Sequence, residues 1–340
     1  MPTVKAALMQ AGRLWIDDIP IPEPGPGEVL VATKACGICG SDLHAVQHTQ
    51  SFIETSREVG GGFKLTTDEP VVLGHEFCAE IVDFGQDVTG HHRVGDLVCS
   101  MPVLLRSEMV GLGYSDIAPG GFAEYMVLTE RLLNKVPEGV DANAAALTEP
   151  LAVGLHAVNK ASLHPEDQVL VVGCGPVGLA ITAVLSMRGF EVMASDFSAG
   201  RRALAGQLGA HETIDPNDRD PLAEMQWPED GHTVIFECVG VKGMIDRLFA
   251  TAPRQSRIVV VGVCLEMDAA RPLIAINKEL SMQYVLGYTP AEFSQTLTLL
   301  GSGQLNVEGL VTDQVALDEV ATAFARLGDP STDGKILVIP

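Results

Sequence analysis

The sequence predicts an α/β protein: a doubly wound parallel sheet follows a β-rich region of short strands. Three observations carry that prediction. From 166 to about 289, short β-branched and apolar runs alternate with helical stretches, the pattern of a parallel sheet with helices on both faces. Within it, residues 169–196 read in the order strand, glycine turn, helix, strand, acid. Ahead of it, residues 4–128 hold short apolar runs separated by proline and glycine turns.

In chain order, residues 4–9 are a short apolar strand. Pro20, Pro22, Pro24, Gly25, Pro26 and Gly27 mark turns, and 29–35 is the next strand. Residues 36–44, CGICGSDLH, read as a glycine-rich loop that gathers polar and thiol groups. Residues 49–70 are polar, contain Gly60-Gly61-Gly62, and read as a surface excursion. Residues 71–73 lead into Gly74-His75-Glu76, and short strands continue to about Leu128. Residues 142–160 turn helical and pass through Glu149-Pro150. After Asp196 a helical stretch runs over 201–208, and strands are expected at 232–236, 258–261 and 282–286. The last fifty residues read as helices at 291–300 and 317–327, with a closing strand at 335–339.

The glycine turn is Gly173-Cys174-Gly175-Pro176-Val177-Gly178, a G-x-G-x-x-G. Gly173 allows the tight turn, Gly175 lets backbone approach a pyrophosphate, and Gly178 lets helix and strand pack closely. Pro176 suits the first position of a helix, whose start offers unpaired N–H groups and a positive dipole end to phosphates. Asp196 lies eighteen residues past Gly178. A carboxylate there accepts both ribose hydroxyls of NAD and repels a 2′-phosphate. Residues 169–187 carry no charge and so also suit a membrane span, but two glycines and a proline break that span in its first half. A buried glycine turn without a ligand leaves Asp196 unexplained.

At 340 residues the chain suggests about two domains. Hydrophobic content of 46% and a mean hydropathy of +0.22 fit well-packed cores. A net charge of −22 and a pI near 4.6 argue against nucleic acid or an anionic membrane surface as partner. The N-terminus has no signal-peptide layout, and seven scattered cysteines, an odd number, do not form a disulfide framework. A reduced, cytoplasmic compartment is expected.

Cys39 and His75 carry the most chemistry outside the glycine turn. A thiolate and an imidazole are good Zn²⁺ ligands, and a catalytic zinc takes three protein ligands and keeps one position open. Cys36-x-x-Cys39 also suits a redox pair or half of a four-cysteine zinc site. No second C-x-x-C exists, and a redox pair does not need the Ser-Asp-Leu-His that follows. Spacing alone leaves zinc and a buried structural cysteine both open.

Five motifs then appear in a telling order: Cys39-Gly40-Ser41-Asp42-Leu43-His44, Gly74-His75-Glu76, Gly120-Gly121-Phe122-Ala123-Glu124-Tyr125, Glu149-Pro150-Leu151 and the glycine turn. Together they resemble the zinc-dependent medium-chain alcohol dehydrogenases, over essentially the whole chain. The Glu149-Pro150 variant is most similar to the polyol branch of sorbitol, butanediol and glucose dehydrogenases. The resemblance implies a GroES-like catalytic domain of residues 1–155 and 290–340, with a Rossmann domain of 156–289 between them. It implies Cys39, His75 and Glu149 as zinc ligands, Glu149 standing where the Cys₂His site places a second cysteine. Glu76 is similar to an acid that ligates zinc directly or through water, or that stands behind the ligands; Asp42 resembles the carboxylate that orients the histidine. Ser41 and His44 match the family's proton relay, in which serine takes the substrate proton and passes it through the nicotinamide ribose to the histidine. His48, His91, His92, His156, His164, His211 and His232 have no such context. For the cofactor, the resemblance implies that Asp196 and Arg201 hold the adenosine ribose and that Val177 packs under the pyrophosphate turn. Val239 and Val261-Gly262-Val263 match contacts to adenine ribose and nicotinamide, and Lys335 is expected to reach the pyrophosphate.

Two departures from the family follow. Its structural-zinc lobe needs four closely spaced cysteines after Val94-Gly95-Asp96, and here only Cys99 is present, so one zinc per chain is expected. Thirty-five residues separate Cys39 from His75, about ten more than usual, an excursion placed to shape the substrate pocket. The expected function is reversible NAD- and zinc-dependent oxidation of a secondary alcohol or polyol to the ketone. The alternatives are a metal-free carbonyl or enoyl reductase and a non-catalytic NAD-binding protein. The expected partners are a small alcohol or ketone and further copies of the chain, as a homodimer or homotetramer joined near 282–286.

Overall fold

The computed structural model describes residues 2–60, 63–222, 232–328 and 334–340. The chain opens on a hairpin, β1 (Thr3–Gln10) and β2 (Arg13–Pro20), turned at Ala11-Gly12 with φ positive at both. Then follow β3 (Glu28–Gly37), α1 (Gly40–Gln47), α2 (Thr49–Val59), β4 (Val71–Val72) and β5 (Glu76–Phe84). Next come β6 (Leu97–Ser100), the small hairpin β7 (Val103–Leu105) and β8 (Met109–Gly111), β9 (Tyr125–Thr129) and β10 (Leu133–Lys135). Two helices, α3 (Ala142–Ala146) and α4 (Thr148–Lys160), lead out of this region.

The alternating half comprises β11 (Gln168–Val172), α5 (Pro176–Met187), β12 (Val192–Ser195), α6 (Ala199–Gln207), β13 (Ala210–Ile214) and β14 (Thr233–Glu237). It continues through α7 (Met244–Thr251), β15 (Arg257–Val260), α8 (Pro272–Lys278) and β16 (Ser281–Tyr284). The chain closes with α9 (Pro290–Gly301), β17 (Val311–Ala316), α10 (Val320–Leu327) and β18 (Lys335–Ile339).

Two sheets organise these elements. One is built around β3 in the order β10-β6-β5-β3-β18-β17, with β9 also on β3. Here β18 pairs antiparallel with β3, setting Leu337 against Gly37 and Val338 against Cys36, so the last strand completes a sheet begun by the third. Its core gathers Val29, Val31, Phe77, Phe122, Met126 and Ile336. The other sheet is all parallel, β13-β12-β11-β14-β15-β16, as the alternation predicts. The order reverses beside β11, so a crevice opens at the carboxyl ends of β11 and its neighbour β14.

The uncharged stretch 169–187 is explained by burial. Val169 to Val171 lie at the sheet centre, and α5 buries Leu179, Ile181, Val184 and Leu185. Helix α4 crosses it so closely that a Cβ on Gly154 would stand 2.9 Å from Ala180. Among the described residues no helix is long and apolar enough to cross a membrane.

Two local expectations are corrected. Residues 36–44 are not one loop: β3 runs to Gly37, and α1 starts at Gly40. The start is stabilised by Asp42, whose Oδ2 accepts the Cys39 N–H at 2.9 Å in the first turn, where a negative charge is favoured. Residues 49–70 are not wholly a surface excursion, because 49–59 is α2, docked through buried Phe52 and Ile53. Two adjacent buried apolar residues, with Val59 exposed at the helix end, give no visible helical period, so this docking had no signature in the pattern. Gly61 and Gly62 of that stretch lie outside the described residues.

Candidate active site and cofactor cleft

Cys39 lies where β3 hands over to α1, and His75 and Glu76 lie where β5 begins. Gly74 makes that approach possible: its φ is +98°, and a Cβ there would meet Cys36 Sγ at 2.8 Å and the Phe122 amide at 2.9 Å. One possible ligand atom from each of Cys39, His75 and Glu76 falls within 4.8 Å of the others, the one such cluster among the described residues. His75 and Glu76 are buried, while Cys39 is partly open.

Asp42, fully buried, sits 3.3 Å from His75 Nδ1. Burial alone would pull the His75 pKa down; the Asp42 carboxylate and the Cys39 sulfur outweigh it and hold it well above the ordinary range. An imidazole with its Nδ1 side against a carboxylate has its ring orientation set, as a metal-binding histidine requires. A cysteine sulfur, an imidazole and a carboxylate within 4.8 Å of one another form a donor set suited to zinc.

Glu149 stands outside the 4.8 Å group, in the first turn of α4. Burial pushes its carboxyl up to about 7; His75 opposes that rise, and Glu76 adds to it. The Tyr288 hydroxyl also opposes the rise. Lys335 does not reach toward a pyrophosphate. Its ammonium is 1% exposed and lies 2.8 and 2.6 Å from the two oxygens of Glu76 and 3.0 Å from the Ile38 carbonyl. Three donors meet three acceptors, which leaves none for a ligand.

Ser41 and His44 are three residues apart on α1 and share a face. Ser41 Oγ is 3.5 Å from His75 Nε2. His44 Nδ1 is buried with no hydrogen-bond partner among the described residues, and burial, then His48, lowers the pKa of the ring. Tyr114, which no motif marks, donates to Ser41 Oγ at 2.8 Å. Burial and then Asp42 push its pKa well up, so it is a neutral phenol.

The glycine turn behaves as its spacing requires. Gly173 has φ +93°; a Cβ on Gly178 would stand 1.9 Å from the Gly173 carbonyl; Gly175 faces open space, which lets a ligand approach the backbone. Pro176 opens α5, and Val177 packs against the core of the parallel sheet. Asp196 follows β12 and accepts the Cys174 N–H and the Ser198 N–H, each at 2.8 Å, one on each oxygen. These bonds fix the carboxylate and leave it further lone pairs. A cavity of about 760 Å³ runs along the turn, lined by Gly173, Gly175, Asp196, Arg201, Val239 and Lys242. On its far side buried Glu237 accepts the Val239 and Gly240 amides at 2.7 and 2.8 Å. The Glu237 carbonyl accepts the Val261 and Gly262 amides, and Val263, the next residue, is exposed. The open turn, the free helix start and the anchored acid fit a dinucleotide.

Residues 25–138 match the family model described as alcohol dehydrogenase GroES-like domain, and residues 176–302 match zinc-binding dehydrogenase. The (R,R)-butanediol dehydrogenase of Bacillus subtilis (strain 168) is 32% identical over 339 residues, 96% of each chain. The chain belongs to the zinc-type medium-chain alcohol dehydrogenases. The sorbitol dehydrogenase of Gallus gallus is 31% identical, covering 93% of this chain and 90% of its own. A Sinorhizobium meliloti 1021 structure bound to NADP, described as a zinc-binding dehydrogenase, superposes with a TM-score of 0.85 at 27% identity over the whole of both chains. This dehydrogenase thus pairs a GroES-like unit with a Rossmann unit, as the motif order implies. Sequence reasoning missed Tyr114, Tyr288 and the true place of Lys335, since each acts across a fold contact and none sits in a motif.

Proposed function

We propose that this dehydrogenase uses NAD and one zinc ion per chain to oxidise a secondary alcohol or polyol to its ketone, reversibly. The observation that carries this reading is the meeting of Cys39, His75 and Glu76 within 4.8 Å, beside the hydroxyl of Ser41. Cys39 and His75 would hold the metal with Glu149 of α4, and Glu76, tied to Lys335, would ligate it directly or through water. A zinc ion there supplies Lewis acidity, and the nicotinamide supplies a hydride acceptor.

The chain's own residues do the rest. Ser41 accepts the proton of the substrate hydroxyl as it gives up its own, which passes on toward His44. His44 receives a proton because burial keeps its imidazole neutral near pH 7 and its Nδ1 is unpartnered. Asp42 holds the His75 ring. Asp196 sets the cofactor preference, since a fixed carboxylate at the ribose attracts hydroxyls and repels a 2′-phosphate. In its presence NADH binds more tightly than NADPH, and Asp196→Ala brings the two dissociation constants together when both are titrated by fluorescence.

The small alcohol or ketone is the partner of the cleft, and the acidic surface disfavours nucleic acid. The enzyme works in the cytoplasm as a homodimer or homotetramer. Support for assembly lies at the edge strand β16, where Tyr284 is exposed, with Leu286 exposed just beyond it and Leu273 and Ile276 exposed on the preceding α8.

The deciding experiment is zinc per chain in purified protein, by elemental analysis, for the wild type and Cys39→Ser side by side. One zinc, lost in the variant, supports the reading; two point to a second site; none in protein never exposed to chelator ends the Lewis-acid mechanism.

A further inference from the structure

Tyr114 follows the β7–β8 hairpin, in a stretch without a motif, yet it is 2% exposed. Its ring is gripped on two sides. Phe52 of α2 stacks on it at 5.5 Å and 23°, and Phe63 meets it edge-on at 4.7 Å and 79°. Its carbonyl accepts the Lys64 amide at 2.9 Å. The long excursion between Cys39 and His75 therefore clamps one phenol. That clamp directs the Tyr114 hydroxyl to within 2.8 Å of Ser41 Oγ, 3.2 Å of Asp42 Oδ1 and 3.3 Å of His75 Nδ1.

A phenol has one proton, and the 2.8 Å contact is the best placed to take it. His75 Nδ1 lies 3.3 Å from both Asp42 Oδ1 and Tyr114 Oη, so in the tautomer that carries its proton on Nδ1 one N–H serves both oxygens. Ser41 then keeps one lone pair and its own proton, whose other neighbour is His75 Nε2 at 3.5 Å. A lone serine hydroxyl rotates among three positions; this one is held with its own proton turned away from Tyr114.

We propose that Tyr114 is a positioning residue for the proton transfer: its hydroxyl fixes Ser41 so that one lone pair faces the substrate proton. The proposal rests on the role given to Ser41 above.

The test is a double-mutant cycle on the zinc-loaded, full-length enzyme with Tyr114→Phe, Ser41→Ala and both together. Tyr114→Phe removes one oxygen and keeps the aromatic stack. The fastest alcohol from a panel that includes butane-2,3-diol and sorbitol is the substrate. The readouts are kcat, KM, the solvent deuterium isotope effect on kcat, zinc per chain and Tm. Tyr114→Phe is expected to lower kcat about tenfold, a loss typical of one well-placed hydrogen bond. KM and zinc content stay unchanged and the isotope effect rises. Ser41→Ala loses more, about a hundredfold, and adding Tyr114→Phe to it costs nothing further. Phe52→Leu, which loosens the ring and spares the hydroxyl, gives a smaller loss of the same kind. Full activity in Tyr114→Phe, multiplicative losses in the double variant, or loss of zinc from Tyr114→Phe each overturns the proposal while leaving Ser41 in its role. Full activity in Ser41→Ala removes the relay itself and the proposal with it.

Discussion

Lys335 and Glu76 show how much one pair of residues can decide. Both are about 1% exposed, and they lie 259 positions apart in sequence. Taking away one partner leaves an uncompensated buried charge, at a cost of about 3–5 kcal/mol. Lys335→Met should therefore lower the urea midpoint sharply, and adding Glu76→Gln should restore most of the loss. If Lys335 served a ligand instead, the single variant would keep its midpoint and lose only cofactor affinity. Gly178 is equally exacting. A Cβ there would stand 1.9 Å from the Gly173 carbonyl, so Gly178→Ala must open the turn. NADH affinity should fall at least tenfold, measured by fluorescence titration, because the phosphate cradle is built from that backbone.

At the scale of elements, the β7–β8 hairpin is the clearest case. It occupies the region where the family's four closely spaced cysteines are missing, and it buries Leu104 and Val110, with Leu112 buried just beyond it. Arg106 anchors it: Nε and Nη2 lie 2.7 and 3.2 Å from the Glu28 oxygens, and Nη1 donates to the Ile117 carbonyl. Glu28 is buried and otherwise holds the Gly25 amide at 2.8 Å. Arg106→Ala leaves that carboxylate short of donors, a cost of about 1–3 kcal/mol. The expected result is a lower Tm and faster proteolysis between 103 and 111, with zinc per chain unchanged. Helix α2 teaches the complementary point. Its polar composition hid a structural job, because a helix that clamps one ring needs only Phe52 and Ile53 on its inner side.

Across the whole molecule, α9 is tied to α4 through Glu292, which meets His156 Nδ1 at 2.8 Å and the Asn159 amide at 2.7 Å. Burial would raise its pKa, but Asn159, the Thr289 amide and hydroxyl, and His156 outweigh burial and lower it from 4.5 to about 2. A folded-state value below the unfolded one means that this stability is present above pH 4.5 and is lost as pH falls through 2. Glu292→Gln should accordingly cost about 2 kcal/mol more at pH 6 than at pH 3, read by urea unfolding. A net charge of −22 adds self-repulsion over the whole surface, so moderate salt should raise Tm.

The sequence by itself determined the parallel sheet, the glycine turn with its acid, and the Cys39 and His75 motifs. These signals are local: alternation, turn glycines and fixed spacings act over some thirty residues, where backbone geometry leaves few choices. It did not show that α1 and α2 are helices, because a capping carboxylate and two docked apolar residues set no period. The tertiary structure alone decided which groups meet. Strand β18 pairs with β3 and carries Lys335 to Glu76, and the clamp of Phe52 and Phe63 carries Tyr114 to Ser41 across 73 positions. Such contacts depend on strand register and on close packing of rings between distant segments, and neither is encoded in the spacing of any single stretch of chain.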